Sequence, residues 1–358
     1  MINKKIAFIH LLNDYSGSPK VLSQIVKKYS KNDIELFTSK DEGFLSNLTP
    51  KHKHFFYKRF ENKFLTLFSY TLSQVHLFFK ILFSKSDIVY INTLLPFGAA
   101  LGAKISGKEV IYHIHETSIR PNILKKFLRY IVSITASKII FVSNDLEQKE
   151  KFENKKSFVI HNALENSFLK IASKYTYNHM HDDKFVVMMI CSLKDYKGIP
   201  EFLKIAKQLE AHKNISFRLI LNSEQNEIDK YFQNQKFKNI EIFSKQKDLE
   251  KFYSTSSLVL NLSRVDQWVE TFGLTIVEAL AFGIPVIVPP VGGPIEIVED
   301  GIEGFLISSY EIDKLAKKIE ELSNDEMTCI NLSKNAKEKA LIFSEDLFLE
   351  KIQKVVDA

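Results

Sequence analysis

Cysteine, glycine, proline and tryptophan are all scarce in this chain. Its 358 residues include 2 cysteines, 12 glycines, 9 prolines and 1 tryptophan. Cys191 and Cys329 are too few for a disulfide framework, which excludes the small disulfide-rich class and favours a reducing compartment. Because 45% of the residues are hydrophobic and 26% are charged, the chain is neither collagen-like nor disordered. A globular protein of about two domains is predicted.

No apolar run has the features of a signal peptide. The first run, at residues 6–12, is short and is interrupted by His10, which suits a buried first strand. The most apolar segment, 64–83, approaches the length of a membrane span but contains polar and charged side chains, namely Gln74, His76 and Lys80. It is predicted to form an amphipathic helix rather than a transmembrane helix. A cytoplasmic location is therefore expected.

Acidic residues are few in the first half of the chain. Residues 1–170 contain 26 lysines and arginines against 14 acidic residues, whereas residues 171–358 contain 23 against 29. Two basic clusters stand near apolar segments: Lys51, Lys53, Lys58, Arg59 and Lys63, and Lys125, Lys126 and Arg129. This pattern predicts peripheral association with an anionic membrane surface, the inner face of the cytoplasmic membrane, although a solvated face over a buried helix is the alternative. Nucleic acid is not expected as a partner, because no recognition motif accompanies the charge.

Short β-branched runs alternate with segments of helical periodicity along the whole chain. The first series of runs lies at 6–9, 87–91, 109–114, 138–142 and 158–160, and a second series begins at 185. Such alternation is typical of a parallel sheet covered on both faces by helices. We predict an α/β protein with two doubly wound domains, 1–170 and 171–344, joined through a linker at 170–184. A helix at about 345–358 is a candidate to pack back on the first domain.

Half of the glycines lie in one short region of the second domain. Six glycines and four prolines fall between residues 273 and 304. The helical stripe that starts after Phe272 and Gly273 predicts a helix N-terminus there, which is a ready anion site. Glu270 then lies in the loop before this helix, and Glu278 lies one to two turns inside it, where it could accept hydrogen bonds from a ribose diol. The alternatives are tight turns for the glycines and a solvated side chain for Glu278.

The same region carries a family resemblance. Two glutamates flank Phe-Gly, followed by Glu-Ala-Leu-Ala-Phe-Gly-Ile-Pro-Val-Ile and Val-Gly-Gly-Pro-Ile-Glu-Ile-Val-Glu-Asp-Gly. This pattern resembles the C-terminal signature of the family 4 retaining glycosyltransferases, which have the GT-B fold. Weaker matches extend the resemblance along nearly the whole chain, at residues 16–22, 87–92, 113–116, 159–163 and 192–198.

The resemblance implies a specific architecture and chemistry. Two Rossmann-like domains would face an interdomain cleft, with a nucleotide diphosphate sugar donor held mainly by the C-terminal domain and the acceptor by the N-terminal domain. The transfer would retain the anomeric configuration and would need neither a cofactor nor a metal. The sequence agrees with the absence of a metal site, because it contains no Asp-x-Asp pair and its histidines lack ligand spacing.

The family's functional residues carry over to particular positions. By resemblance, Glu278 would bind the ribose hydroxyls, and Glu270 would face the donor sugar. His115 would lie near that sugar, and Gly17 would allow close backbone approach; the alternatives are a satisfied strand-end histidine and a turn glycine. The diphosphate would be bound by Lys197, Ser192 and the backbone N–H groups of Phe272, Gly273, Leu274 and Thr275. The catalytic residues are thus predicted as Glu270, His115 and Lys197, with a solvated loop cation as the alternative for Lys197.

Two departures from the family pattern bear on the donor site. Ser16 replaces the first glycine of the first loop, and Ser192 occurs where the phosphate-clamp loop usually has an arginine. Half of the cationic clamp is therefore missing. Arg264 and Arg120 are candidates to replace it on sequence position alone.

These observations predict a retaining hexosyltransferase. It would transfer a sugar from a nucleotide diphosphate sugar to a glycan or lipid-linked acceptor in the biosynthesis of a cell-surface polysaccharide such as O-antigen or capsule. The alternatives are another GT-B enzyme, such as a nucleotide-sugar epimerase or a phosphorylase, and a non-catalytic scaffold that binds sugar nucleotides. The absence of the arginine from the phosphate-clamp loop is the feature that favours the non-catalytic scaffold.

Overall fold

The chain folds into two compact units in a computed structural model that describes residues 4–29, 33–40, 42–233, 235–246 and 248–358. The first unit comprises residues 1–163 together with 345–358, and the second comprises residues 164–344. Each unit has its own parallel sheet covered by helices.

The first unit has a seven-stranded parallel sheet among its described residues. Its strands are β1 (Ile6–Ile9), β2 (Ile34–Ser39), β3 (His52–Phe55), β4 (Ile88–Asn92), β5 (Glu109–Ile114), β6 (Lys138–Phe141) and β7 (Lys156–Val159). They are ordered β3-β2-β1-β4-β5-β6-β7. Every residue of β1 and of β4 is buried, because helices cover both faces of a doubly wound sheet and leave no strand face for water.

The helices of the first unit connect successive strands. They are α1 (Gly17–Lys28), α2 (Lys63–Leu82), α3 (Phe97–Ile105), α4 (Asn122–Thr135) and α5 (Asn144–Glu150). The predicted helix at 64–83 corresponds to α2. Among the described residues, no helix combines the length and the apolarity that a bilayer crossing requires.

The second unit repeats the design with six parallel strands in its described residues. These are β8 (Phe185–Cys191), β9 (Ile215–Leu221), β10 (Ile240–Phe243), β11 (Leu258–Leu260), β12 (Val286–Val288) and β13 (Gly304–Leu306), ordered β10-β9-β8-β11-β12-β13. Its helices are α6 (Asn166–Ala172), α7 (Ile199–Gln208), α8 (Gln225–Phe232), α9 (Glu250–Tyr253), α10 (Leu274–Ala281), α11 (Pro294–Ile297), α12 (Ile312–Ser323) and α13 (Glu326–Ala340). A core of Phe185, Phe202, Phe217, Leu260 and Ile319 joins the sheet to these helices.

The boundary between the units differs from the predicted one. Residue 170 falls inside α6, and the segment 170–184, predicted as a linker, packs on the second unit. The ring of Tyr175 lies 5.4 Å from that of Phe282, and the hydroxyl of Tyr177 donates to the carbonyl oxygen of Ser257 at 2.9 Å. Single aromatic side chains make these contacts, so the segment lacks the periodicity that would have revealed them.

The last helix, α14 (Glu345–Asp357), belongs to the first unit and corresponds to the helix predicted at about 345–358. It packs on α1. The ammonium of Lys138 in β6 donates to the carbonyl oxygen of Val355 at 2.9 Å. The first unit is therefore completed by residues that follow the whole second unit in the chain.

Candidate active site

The strand order of the second sheet determines where a ligand can bind. The chain leaves β8 toward β9 on one side, whereas β11 pairs with β8 on the other side. Ligands of open α/β sheets bind at such a reversal of strand order, outside the carboxyl ends of the strands. The loops that follow β8 and β11 meet here, since the backbone N–H of Arg264 donates to the carbonyl oxygen of Tyr196 at 2.8 Å.

Two predicted site residues contact each other at this edge. The ammonium of Lys197, in the loop after β8, lies 2.7 Å from Oε2 of Glu270, in the loop after β11. Both side chains are less than one-fifth exposed. The alternative of Lys197 as a solvated loop cation is therefore wrong.

The carboxylate of Glu270 is held in its ionised form. Burial raises its pKa, but the charge of Lys197 and hydrogen bonds from Lys197, Ser263 and Asn261 outweigh burial, so the pKa lies below its ordinary value. The hydroxyl of Ser263 donates to Oε2 of Glu270 at 3.3 Å. A carboxylate in this state accepts hydrogen bonds and is a poor proton donor near neutral pH.

Trp268 shapes the site and was missed by sequence reasoning. Its ring stacks on that of Tyr196, with the centroids 5.0 Å apart and the planes 16° apart, and the ammonium of Lys197 lies 5.1 Å from the Trp268 ring. The stack limits the positions that Lys197 can adopt, and the ring attracts its charge. The available signal was that the only tryptophan of the chain stands two residues before Glu270.

Gly292 and Gly293 lie directly against the backbone of residues 270–272. A Cβ atom at Gly293 would lie 2.4 Å from the carbonyl oxygen of Thr271 and 2.5 Å from the Cα of Phe272. The backbone N–H of Gly293 donates to the carbonyl oxygen of Glu270 at 2.8 Å. Only a residue without a side chain can approach this closely, so the loop after β12 fixes the backbone that presents Glu270.

Helix α10 begins at Leu274, four residues after Glu270. Gly273 is the residue before the helix, Leu274 and Thr275 are its first two residues, and Phe272 is buried below. The first N–H groups of a helix have no partner within it, so they and the helix dipole favour an anion at this end. Ser192 follows β8 at the same edge of the sheet. The predicted phosphate-binding residues thus belong to loops at one edge.

Glu278 lies inside α10 and is only 3% exposed, so the alternative of a solvated helix residue is wrong. The hydroxyl of Tyr253 donates to its Oε2 at 2.8 Å. The tyrosine orients the carboxylate within the helix. A ribose diol is a chemically suitable additional donor for such a group, and this role stays a prediction.

The two candidate replacements for the missing arginine differ in their surroundings. Arg264 is paired with the buried Glu201, whose Oε1 lies 3.0 Å from Nε and 2.9 Å from Nη2. This pair, led by the hydrogen bond, raises the pKa of the guanidinium above its ordinary value and neutralises its charge locally. Arg120 is exposed and belongs to the first unit. Lys197 and Arg264 are therefore both paired with a carboxylate, and they differ in place: the partner of Lys197 is Glu270, which stands just before α10, whereas the partner of Arg264 is Glu201 in α7.

The first unit has its own polar cluster where its strand order reverses, between β1 and β4. Asn92, the last residue of β4, donates through Nδ2 to the carbonyl oxygen of Ser18 at 3.1 Å, and its Oδ1 accepts from Nε2 of His115 at 2.8 Å. Gly17 is the exposed first residue of α1, next to Ser18. The structure thus brings Gly17 and His115 to one edge of the sheet, and the bond to Asn92 agrees with the alternative of a satisfied strand-end histidine.

The bond to Asn92 sets the protonation of His115. Since the amide oxygen can only accept, the proton of the neutral imidazole is on Nε2, and Nδ1 is the acceptor. Burial, with the nearby rings of His113 and His10, lowers the pKa of His115 well below its ordinary value. His115 is therefore neutral at physiological pH.

Glu116 connects the ends of β4 and β5. Its Oε1 accepts from the N–H of Leu94 at 2.9 Å, and its Oε2 accepts from the N–H of His115 at 3.2 Å. Burial raises its pKa to about 7, in spite of the backbone hydrogen bonds that favour the ionised form. Its protonation state therefore changes close to physiological pH.

Replacing Glu116 with glutamine is expected to remove a pH-dependent part of the stability. The folded state keeps the Glu116 proton up to about pH 7, whereas the unfolded chain releases it near the ordinary value of 4.5. The free energy of unfolding of the parent therefore falls as pH rises through this range, by on the order of 3 kcal/mol. Urea denaturation followed by circular dichroism at about pH 5 and about pH 8 measures the difference.

The glutamine variant should lack this loss. The difference in the free energy of unfolding between the parent and the variant should therefore change with pH. Equal pH dependence in the parent and the variant would mean that Glu116 is ionised throughout and that its environment is more polar than described.

Comparisons with known proteins bear on the family. Residues 177–339 match the family model described as "Glycosyl transferases group 1". An uncharacterized glycosyltransferase of Methanocaldococcus jannaschii is 26% identical, over 76% of this chain and 75% of that protein. The N,N'-diacetylbacillosaminyl-diphospho-undecaprenol alpha-1,3-N-acetylgalactosaminyltransferase of Campylobacter jejuni is 24% identical, over 49% of this chain and 45% of that protein.

A solved structure resembles the whole chain. The Anabaena protein HepE, in complex with UDP-glucose, superposes with a TM-score of 0.81 at 20% identity and covers 99% of each chain. The two Rossmann-like units therefore define a protein of the GT-B fold class, as predicted. The matched residues 177–339 contain the region around Glu270 and Glu278, so the family model agrees with the predicted resemblance of that region to glycosyltransferases.

Proposed function

We propose that this chain is a retaining, metal-independent hexosyltransferase. It transfers a sugar from a nucleotide diphosphate sugar to a glycan or lipid-linked acceptor in cell-surface polysaccharide biosynthesis, at the inner face of the cytoplasmic membrane. The observation that carries the proposal is the ion pair of Lys197 and Glu270 beside the N-terminus of α10, within a group 1 glycosyl transferase domain.

The chemistry of the leaving group explains the need for this arrangement. As the bond between the sugar and the diphosphate breaks, negative charge grows on the diphosphate. Preorganised donors at that position stabilise the transition state more than the ground state. Lys197 supplies a fixed charge, and Leu274 and Thr275 supply backbone N–H groups at the positive end of a helix. These groups supply the stabilisation that a divalent metal supplies elsewhere.

Glu270 contributes differently, because its carboxylate is kept ionised. An ionised carboxylate accepts hydrogen bonds from sugar hydroxyls and favours positive charge nearby. We infer that it orients the donor sugar and stabilises the positive charge that develops at the anomeric carbon, rather than donating a proton.

Similar proteins support the substrate classes. The structure of HepE contains UDP-glucose, so a UDP-hexose is the first donor to test. The name of the Campylobacter relative describes transfer to a diphospho-undecaprenol carrier, which supports a lipid-linked acceptor. That relative is matched over less than half of its length.

The proposal is tested first by ligand-induced stabilisation. A ligand that binds only the folded protein raises the melting temperature by mass action. We expect one or more of UDP-, GDP-, dTDP- and ADP-sugars to raise it, with and without EDTA. Transfer to saccharide and polyprenyl diphosphate acceptors then measures activity, and NMR of the product measures its anomeric configuration.

The rival functions give different outcomes. A sugar-nucleotide scaffold would be stabilised by a donor without turning it over with any acceptor. An epimerase would alter the donor without an acceptor, and a phosphorylase would require inorganic phosphate. Inversion in the product, or loss of activity on EDTA treatment, would contradict the retaining or the metal-independent part of the proposal.

Replacing Ser192 with arginine is expected to tighten donor binding about tenfold. Arg264 is already paired with Glu201, so the clamp has room for a second cation. A hydrogen bond to a charged group contributes about 1.5–3 kcal/mol, of which part is spent on ordering the new side chain. Calorimetry with the donor measures the dissociation constant.

The matched control is Ser173→Arg, which adds the same charge at an exposed position after α6. It should leave donor affinity unchanged. Unchanged or weaker binding in Ser192→Arg would mean that another cation already fills the clamp, since like charges then crowd the diphosphate.

A further inference from the structure

Helix α2 has an unusual distribution of side chains. Its outward face contains large apolar residues that are each at least 45% exposed, namely Phe64, Leu65, Leu67, Phe68, Leu72, Val75 and Phe79. Four of its six buried residues are polar, namely Ser69, Tyr70, Ser73 and Gln74, and the other two are Leu77 and Ile81. The helix therefore exposes a more apolar face than the one it buries, which is the reverse of the usual amphipathic helix of a globular protein.

Contacts with α3 explain why the small and polar face points inward. A Cβ atom at Gly98 of α3 would lie 2.0 Å from the carbonyl oxygen of Gln74, so the two helix backbones are very close. The N–H of Gly98 donates to Oε1 of Gln74 at 3.0 Å, and the hydroxyl of Tyr70 donates to the carbonyl oxygen of Leu95 at 2.6 Å. These bonds fix the rotation of α2, and a phenylalanine could not replace a serine at this distance.

Helix α4 continues the apolar surface on the other side of α3. Both α2 and α4 pack on α3, and the rings of Phe97 and Phe127 are 5.1 Å apart. Exposed apolar side chains of α4 are Ile123, Phe127, Tyr130 and Ile134. We call the exposed apolar residues of α2 and α4 together the apolar face; grouped exposure of this kind is typical of an interaction surface.

Positive charge borders the part of the apolar face that α2 contributes, whereas Lys125 and Arg129 of α4, predicted to face a membrane, are paired with the buried Glu150. Neither α2 nor α4 contains an aspartate or a glutamate, and no charged residue stands between Lys63 and Lys80. A groove of about 540 Å³ at the end of α2 is lined by Lys53, His76, Phe79, Lys80, Phe83 and Ser84. Lys63 and Lys80 thus mark the two ends of a helix of 20 residues, which is about 30 Å long.

We propose that the apolar face of α2 and α4 inserts into the headgroup region of an anionic lipid bilayer. Helices that lie in this region combine a wide apolar face with lysines and arginines at its border, as α2 does. A second copy of the chain fits less well, because a two-fold dimer would place the same positive border against itself. The proposal deepens the membrane location given under the proposed function and rests on that function only for its biological setting.

Vesicle flotation tests the proposal without any catalytic readout. The full chain is mixed with vesicles of phosphatidylcholine alone or with phosphatidylglycerol. The triple variant Phe64→Ser, Phe68→Ser, Phe79→Ser removes three exposed rings, and the control Ile302→Ser, Met327→Ser, Leu341→Ser removes exposed apolar side chains of the second unit. We expect anionic vesicles to recover the parent and the control, and the triple variant to partition at least tenfold more weakly.

A second variant, Lys63→Glu with Lys80→Glu, separates charge from apolar insertion. This variant should be recovered less than the parent with anionic vesicles and equally with neutral vesicles. Added salt should lower the recovery of the parent with anionic vesicles in the same way. Circular dichroism checks folding. If the triple variant does not fold, Phe64→Ser alone is used, since that ring is 83% exposed and its loss leaves no cavity.

Equal recovery of the parent and the triple variant, or no recovery of the parent with anionic vesicles, would overturn the proposal. Light scattering tests whether a second copy of the chain occupies the apolar face instead. A parent that is dimeric and a triple variant that is monomeric would assign the face to a second copy. Donor-induced stabilisation should be the same in the parent and the triple variant. A failure of membrane binding is therefore distinguishable from a failure of the proposed glycosyltransferase.

Discussion

Replacing Lys197 with alanine is expected to lower kcat about a hundredfold or more. Among the contacts described for the two loops, Lys197 is the basic residue that bonds to Glu270. Arg264 is paired with Glu201 instead. The loss of one preorganised donor from a developing oxyanion costs about 10²–10³ in kcat. Steady-state kinetics with donor and acceptor measure it.

The variant should also acquire a new pH dependence. Without Lys197, burial raises the pKa of Glu270 with less opposition, so the carboxylate is ionised only at higher pH. Activity that remains should therefore rise with pH more steeply in Lys197→Ala than in the parent. A merely structural role of Lys197 would lower activity equally at every pH.

Lys194→Ala is the matched control, because Lys194 is an exposed lysine of the same loop. It should leave kcat and the donor KM close to the parent values. If Lys197→Ala also leaves both constants unchanged, the clamp assignment is wrong and the loop is only a turn.

Replacing Glu278 with alanine is expected to weaken binding of the bare nucleoside diphosphate tenfold to a hundredfold. If the ribose hydroxyls donate to this carboxylate, the variant loses hydrogen bonds to a charged group, which contribute about 1.5–3 kcal/mol. Glu270→Ala should instead lower turnover with little effect on the nucleotide, because Glu270 is predicted to face the sugar. Calorimetry with UDP compares the two variants.

Stability has to be separated from binding in this experiment. Glu278→Ala leaves the buried hydroxyl of Tyr253 without its acceptor, at a cost of about 1–3 kcal/mol of unfolding free energy. Glu278→Gln keeps an acceptor for Tyr253 and loses the charge. Tyr253→Phe keeps the charge and loses the hydroxyl. Unchanged nucleotide affinity in both Glu278 variants would reject the ribose assignment.

The strands and the two-domain organisation could be predicted from the sequence because both sheets are buried on two faces. Such strands become short continuous apolar runs, as in residues 185–190, and the runs are separated by helical periodicity. The residue at which the first unit ends could be predicted less well. Phe168 and Tyr177 attach the segment after Ala163 to the second unit by isolated contacts, and an isolated contact leaves no periodic pattern.

The site was predicted in its members and only partly in its geometry. Lys197 and Glu270 are 73 residues apart, and their contact depends on the pairing of β8 with β11. Neither composition nor periodicity determines that pairing, so the resemblance supplied the connection. Trp268 had no counterpart in the resemblance, and its stack on Tyr196 depends on the conformation of two loops.

The orientation of α2 was beyond sequence reasoning for a related reason. The segment 64–83 has apolar residues on most sides, so its pattern permits more than one buried face. Gly98, in a different helix, decides which face is buried, because only the side chains near Gln74 are compatible with such close backbones.

The return of α14 to the first unit has a consequence for the order in which the protein is made. A ribosome completes residues 164–344 before it reaches Glu345, so the second unit can finish folding while the first still lacks a helix. Until then, the surface of α1 that α14 covers stays open, and Lys138 has no contact with Val355. The unit that is started first is thus finished last, and a chain released before Glu345 would contain a complete second unit beside an unfinished first one.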